Sequence, residues 1–201
     1  LNAYIHACIS VKKRGGIVED YIALHDFMDC TKELCSDNRH RILHTIWGIR
    51  RVIVPVMGAT ITNSDGKIVN VKDLCEQDHI LPDYQNRFIP TLSDFAVAIS
   101  PAEEDEQLLQ SFIKSYTHDE EMCELMLSPL SNTGQLRALY FTHNSWFVNE
   151  IVPKVLKRKP VIKDFGIAPS TFFNRMDFKL WMDNGTGIPP SAAKTAGKIV
   201  K

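Results

Sequence analysis

Three pairs of potential metal ligands stand at helical spacing within fifty-five residues, and no other feature restricts what this chain can fold into as much. His25 and Asp29 are four apart, His40 and His44 are four apart, and Glu76 and His79 are three apart. In a helix such spacing puts both side chains of a pair on one face. His6 adds a single imidazole, so five of the seven histidines fall in the first eighty residues. A buried imidazole without a partner costs about 1–3 kcal/mol. Convergence of these groups on one another, or on a cation, is therefore the economical arrangement.

The flanking pattern predicts a mainly α fold with a small β-hairpin, an α+β class. A helix is expected over Val18 to Ser36, after a turn at Lys12-Lys13-Arg14-Gly15-Gly16. Asp37 is a good N-cap for a second helix, Asn38 to Met57, apolar around most of its circumference and bent or ended by Pro55. Residues 59–71 read as a hairpin turning at Asp65-Gly66. A short helix from Lys72 to Ile80 carries Glu76 and His79, and Thr91-x-x-Asp94 opens another with capping-box logic.

A boundary at Ser100-Pro101 would separate a helical domain, 1–100, from a helical extension, 101–182. In that extension, helices are expected over Glu103 to Tyr116, Thr117 to Leu127 and Thr133 to Lys157, the second capped by Thr117-x-x-Glu120 and the third kinked or split by Pro153. Alternation of Met176, Phe178, Leu180 and Met182 with polar neighbours predicts a late strand. Residues 183–201 read as an extended basic tail.

As metal ligands the first choices are His25, Asp29, His44 and His79, with His6, His40 and Glu76 behind them or on a second ion. Imidazole and carboxylate suit zinc, iron or manganese, and helix-borne pairs are how helical bundles present them. Asp26 and Glu76 are the candidate acid or base groups. His25-Asp26 is similar to the His-Asp dyad of metal phosphohydrolases, a weak signal as a bare dipeptide. Arg39 and Arg41 flank His40 and suit either an anionic substrate or pairing with Asp26 and Asp37.

Five cysteines, none in a C-x-x-C pair, argue for thiols in a reducing compartment. No apolar run approaches a membrane span, and no secretory signal is evident at the first residues. The chain is accordingly expected in the cytoplasm, or in a virus particle assembled there, and not secreted. Charge is uneven. Residues 101–125 carry eight acidic side chains against Lys114, and residues 151–201 carry ten basic against three acidic. Lys154, Lys157, Arg158, Lys159, Lys163, Lys194 and Lys198 are the candidates for contact with a polyanion or an acidic protein neighbour, unless they complement the chain's own acidic segment.

Roughly residues 1–100 resemble a small uncharacterised family of bacterial and phage proteins. The resemblance rests on Ala3-Tyr4-x-His6, Ser10-Val11-Lys12-Lys13-x-Gly15-Gly16, Glu19-Asp20-Tyr21, His25-Asp26-x-x-Asp29 and Lys32. It continues through Arg39-His40-Arg41-x-Leu43-His44, Gly58-x-Thr60-Ile61-Thr62-Asn63-Ser64-Asp65-Gly66, Glu76-Gln77-x-His79 and Ile89-Pro90-Thr91-Leu92-x-Asp94. It implies a shared fold and a bacterial or viral source, and it brings no activity with it. Two functions are then expected. One is a structural or assembly protein, plausibly of a phage or virus particle, carrying a metal-binding helical domain and meeting other subunits through residues 101–201. The other is a metal-dependent hydrolase acting on a phosphoester or nucleotide. Nucleic-acid binding through the basic C-terminal region ranks below both, since charge alone supports it.

Overall fold

The structure, a computed structural model, describes residues 1–160, 162, 166–183 and 187–196. It is mainly helical with one antiparallel hairpin, and it falls into two compact units. The first comprises Leu1–Pro90 with Trp181–Lys201, and the second Thr91–Leu180. The division lies ahead of the expected Ser100-Pro101 because Leu92, Phe95 and Ile99 are all buried in the second unit. Trp181 and Met182 belong to the first, where the Asn38 side-chain amide donates to the Met182 carbonyl at 2.6 Å.

In the first unit, α1 (Ala3–Arg14) is capped by the Asn2 side chain and ends at Gly15 and Gly16, both at positive φ. A Cβ at Gly15 would lie 2.4 Å from an Asp65 carboxylate oxygen, so this close approach requires glycine. The contact pins the hairpin to the turn, with the Gly16 N–H donating to Asp65 at 2.7 Å. Strands β1 (Thr60–Thr62) and β2 (Ile68–Asn70) pair with Ile61 opposite Val69. Gly66, at φ 76°, supplies the turn.

The two long helices expected before the hairpin are each broken. After a single 3₁₀ turn, α2 (Ile22–Met28) stops at Asp29, and a 3₁₀ turn follows at Cys30–Glu33. Thr31 donates its hydroxyl to the His40 carbonyl there, tying the tightened turn to the next segment. Asp37 does act as N-cap, accepting from the Arg39 N–H, but on a 3₁₀ segment, Asn38–Leu43, that closes at His44. Thr45 then caps a new helix, α3 (residues 46–57), through the Gly48 N–H. The helix runs through Ile46–Gly48, Ile49–Ile53 and Val54–Met57. α4 likewise joins Val71–Leu74, Cys75–Ile80 and Leu81–Asp83, capped by Asn70.

The middle portions of α3 and α4 are wide π turns, each ending two residues before a proline, Pro55 and Pro82. Proline lacks an N–H and its ring clashes with the carbonyl four residues back, and an i→i+5 turn gives that carbonyl room. The same device recurs in the second unit at Phe147–Ile151 ahead of Pro153. Tyr21, Leu24, Met28, Leu43, Ile49, Val52, Val71 and Leu74 make the first unit's core.

The second unit contains α5 (Leu92–Ala96), with the expected Thr91/Asp94 capping box formed, α6 (Glu103–Tyr116), α7 (Glu120–Met126) and α8 (Ser128–Thr133). Asp119, and not Thr117, caps α7, accepting from the Met122 N–H at 3.0 Å. The helix expected over Thr133 to Lys157 is interrupted. Gly134, in the left-handed region, stops α8, and a 3₁₀ segment spans Leu136–Phe141. Asn144 then accepts from the Phe147 N–H to start α9, which combines Phe147–Ile151 and Val152–Leu156. α10 is Pro169–Asn174.

Two late expectations are corrected. Met176 makes one isolated bridge with Ile99, and residues 178–182 turn, so no strand forms there. Apolar alternation over so short a run met no neighbouring strand to pair with. Pro190–Ala196 is helical, α11, where an extended tail was expected, its first residue being a proline suited to a helix start. Among the described residues no helix is long and apolar enough to cross a membrane.

Candidate metal centre

Four side chains from three segments of the first unit meet in its interior. Asp29 lies where α2 ends, His44 where the 3₁₀ segment ends, and His79 and Asp83 one turn apart on α4. Each offers a ligand atom, and these atoms all lie within 4.8 Å of one another. Asp29 Oδ1 is 3.5 Å from both His44 Nε2 and His79 Nε2. Asp83 Oδ2 is 3.6 Å from His44 Nδ1 and 4.0 Å from His79 Nε2. The 3.5 Å separations are long for hydrogen bonds and lie within the roughly 3.3–3.6 Å between donors sharing an ion with bonds of about 2.0–2.2 Å. The 4.0 Å one is wider, and the two His44 contacts use different nitrogens of the ring.

The polar bookkeeping points the same way. Asp29 Oδ1, both ring nitrogens of His44, His79 Nε2 and Asp83 Oδ2 are buried and make no hydrogen bond. Orphaned buried polar atoms are rare in folded proteins. One from each of the four residues can turn to a shared cation, His44 offering a single ring nitrogen because the two nitrogens of an imidazole point apart. Burial pushes the His44 and His79 imidazoles down, His79 far down, which favours the neutral form a metal needs. Burial alone would raise both carboxyls. The neighbouring imidazoles outweigh it at Asp29, and His6, His44 and Arg41 outweigh it at Asp83, holding both well below the usual carboxylate range. The outer oxygen of Asp29 is already engaged, Lys32 Nζ donating to Oδ2 at 2.6 Å, and His6 Nε2 lies 3.2 Å from Asp83 Oδ1. What remains is an inward set of two neutral nitrogens and two anionic oxygens, chemistry that fits a divalent cation.

A hydrogen-bonded chain stands behind His79. His25 Nδ1 lies 2.9 Å from His79 Nδ1, and His25 Nε2 lies 2.9 Å from Ser10 Oγ, whose hydroxyl reaches the His6 carbonyl at 3.2 Å. With Ser10 donating to that carbonyl, His25 donates to Ser10 through Nε2 and accepts from His79 Nδ1–H. His79 Nε2 is then left with its lone pair aimed at the centre, the role outer partners play for ligating histidines. His6 is stacked on His79 with ring centroids 3.8 Å apart, and its Nδ1 lies 2.9 Å from the Asp78 carbonyl oxygen. Pro82 follows that carbonyl by four residues and has no N–H to offer it.

Three of the four first-choice ligands, Asp29, His44 and His79, are thus brought together, and His25 is not among them. It sits one layer out, buried, with its pKa pushed down to about 3 chiefly by desolvation. Asp83 takes the fourth place. Its signal was present, four residues after His79, but Pro82 argued that the helix had already ended. Of the second tier, His6 supports from outside and Glu76 turns away to pair with Lys72 at 2.8 Å. His40 lies at the edge, Nε2 3.9 Å from Asp29 Oδ1. Asp26 is exposed, so the His25-Asp26 dipeptide has one member inside and one in solvent. That geometry excludes the dyad its sequence suggests. Arg39 pairs with Asp37, and Arg41 Nη1 donates to the Asp83 carbonyl at 3.2 Å.

The basic candidates divide. Arg158 pairs with Asp119 and Glu121, and Lys154 with Glu150. Lys157, Lys159 and Lys194 are exposed. Lys163 and Lys198 lie outside the described residues.

Residues 1–104 match the model of a family described as a domain of unknown function (DUF6915). The chain belongs to that family. All four inward residues of the centre, and His6, His25 and His40 around it, lie within the DUF6915 match. No curated protein and no solved structure matches the chain.

Proposed function

We propose that the DUF6915 domain of this chain is a divalent-cation-binding domain, with the ion held by Asp29, His44, His79 and Asp83. The observation that carries this reading is that each of those four residues offers a buried ligand atom without a hydrogen bond, all within 4.8 Å of one another. No thiol belongs to the set: Cys75 is buried with its pKa pushed well up, and Cys35 donates to Asp37. Two imidazoles and two carboxylates suit zinc, iron(II) or manganese(II) better than copper(I). Elemental analysis of the purified full chain tests this. One divalent ion per chain is expected, lost in His79→Ala and in Asp83→Asn. Wild-type protein that neither carries nor takes up any of these ions would sink the reading.

Two larger roles build on this centre. An assembly role draws on the second unit, where an apolar groove of about 350 Å³ is lined by Leu109, Ile113, Leu136 and Leu139. A hydrolase role draws on His40, whose buried Nε2 at the edge of the cluster makes no hydrogen bond. Native mass in solution tests the first, and it is supported by a species of several chains. Release of nitrophenolate from the generic phosphodiester bis(p-nitrophenyl) phosphate by metal-loaded protein, abolished in Asp83→Asn, tests the second.

A further inference from the structure

His40 has an acceptor aimed at an acceptor. Its Nδ1 lies 2.6 Å from the Asp37 carbonyl, which can only accept, so Nδ1 carries the proton and Nε2 the lone pair. Nε2 in turn faces Asp29 Oδ1 at 3.9 Å, with no hydrogen bond on either atom. The residue is 6% exposed, so bulk water does not solvate this meeting of two lone pairs. The neighbouring cation does not relieve it, because Lys32 is spent on the other Asp29 oxygen. Nor does His40 join the ligand set, since it stands outside the group of atoms that lie within 4.8 Å of one another.

We propose that the centre has a fifth, exchangeable coordination position occupied by a solvent molecule, and that His40 Nε2 accepts a hydrogen bond from it. This rests on the metal reading above. A water held by a divalent ion turns its hydrogens outward, and one of them supplies the positive edge that the His40 lone pair lacks. An oxygen within reach of both Nε2 and the ion also removes the opposition between Nε2 and Asp29. His40 is then a positioning residue for the solvent ligand. The centre is of the open type, in which protein groups leave one position for solvent or a reactant, and not of the closed structural type.

The test uses full-length chain loaded with cobalt(II), whose visible absorption reports coordination number, and azide as a small anion that replaces solvent. Saturable change of the visible bands on adding azide is expected in wild-type protein. His40→Ala is expected to keep one cobalt per chain, with metal affinity lowered by no more than the roughly 10–100-fold typical of an outer partner. It should also bind azide more tightly, by up to roughly tenfold, because the displaced solvent has lost one hydrogen bond. Cobalt-loaded wild type that is blind to azide overturns the open position while leaving the metal centre standing. Failure of His40→Ala to retain cobalt, or an unchanged azide affinity in that variant, overturns the assignment to His40. A wild-type chain that takes up no cobalt overturns the metal centre itself.

Discussion

At the scale of single residues, the centre depends on which nitrogen of each histidine is free, and the groups behind the ligands decide that. His25 is the clearest case. Of the four inward residues it is hydrogen-bonded only to His79, at 2.9 Å, and through Ser10 it is anchored to the α1 backbone. His25→Ala is therefore expected to keep one ion per chain while weakening its hold by roughly 10–100-fold, measured by competition with a chromogenic chelator. Loss of the ion altogether would make His25 a ligand. The sequence made His25 look like one because it stands four residues before Asp29, as a shared helix face requires. The helix ends at Asp29, however, whose backbone has left helical values at φ −93° and ψ 2°. Asp29 brings its carboxylate to the centre from the end of α2, while the His25 ring, four residues earlier, is taken up by His79 and Ser10. Asp83 was hidden for the converse reason: a proline that ordinarily stops a helix sits inside one, tolerated by a π turn.

At the scale of elements, the apolar stretch from residue 38 to 57 is continuous in composition and discontinuous in structure. His44 and Thr45 break it, and the break is what turns His44 inward. Gly48 shows how tightly the two halves are folded together. Its backbone is helical, at φ −57° and ψ −45°, where replacement by alanine ordinarily stabilises by about 0.5–1 kcal/mol. A Cβ here would instead lie 2.3 Å from the Leu43 carbonyl oxygen and 2.8 Å from its carbon, both backbone atoms that cannot move aside singly. The close contact outweighs the helix propensity. Gly48→Ala is expected to lower stability by about 1–3 kcal/mol, the usual effect of overpacking, and to weaken metal binding with it, since Leu43 precedes His44. Urea unfolding of metal-free and metal-loaded protein measures both; an unchanged or raised midpoint would show that the turn has slack. Elements with strong local signals were legible: the hairpin with its Asp-Gly turn, the Thr91/Asp94 box, and Glu103–Tyr116. Breaks imposed by tertiary contacts were not, because Thr45 and Asn144 read as interior polar residues of long helices until the chain is seen to turn at them.

At the scale of the whole chain, two kinds of buried histidine make opposite statements about the medium. Those around the centre couple stability to cation concentration. Free ion at a hundred times its dissociation constant should stabilise the first unit by about 2.7 kcal/mol, seen as a rise in the thermal midpoint that Asp83→Asn abolishes.

His143, in the second unit, couples stability to protons alone. Its Nε2 meets the Tyr116 hydroxyl at 2.6 Å, its Nδ1 the Leu139 carbonyl at 2.9 Å, and burial pushes its pKa from 6.5 down to about 4. Between those values the unfolded chain binds the proton that the folded chain refuses, so stability rises with pH across this window. Read downward, stability is intact above pH 6.5, is lost progressively as pH falls, and levels off below about 4, a difference on the order of 3 kcal/mol. His143→Gln does not titrate there, and its amide oxygen can still accept from Tyr116. Its stability relative to wild type should therefore improve as pH drops from 6.5 to 4, even if it is the less stable protein at neutral pH. Guanidinium unfolding of both chains across that range, without added metal, isolates this residue, because the histidines of the first unit contribute equally to each. Parallel pH curves would mean that His143 takes up its proton in the folded state as readily as in the unfolded one.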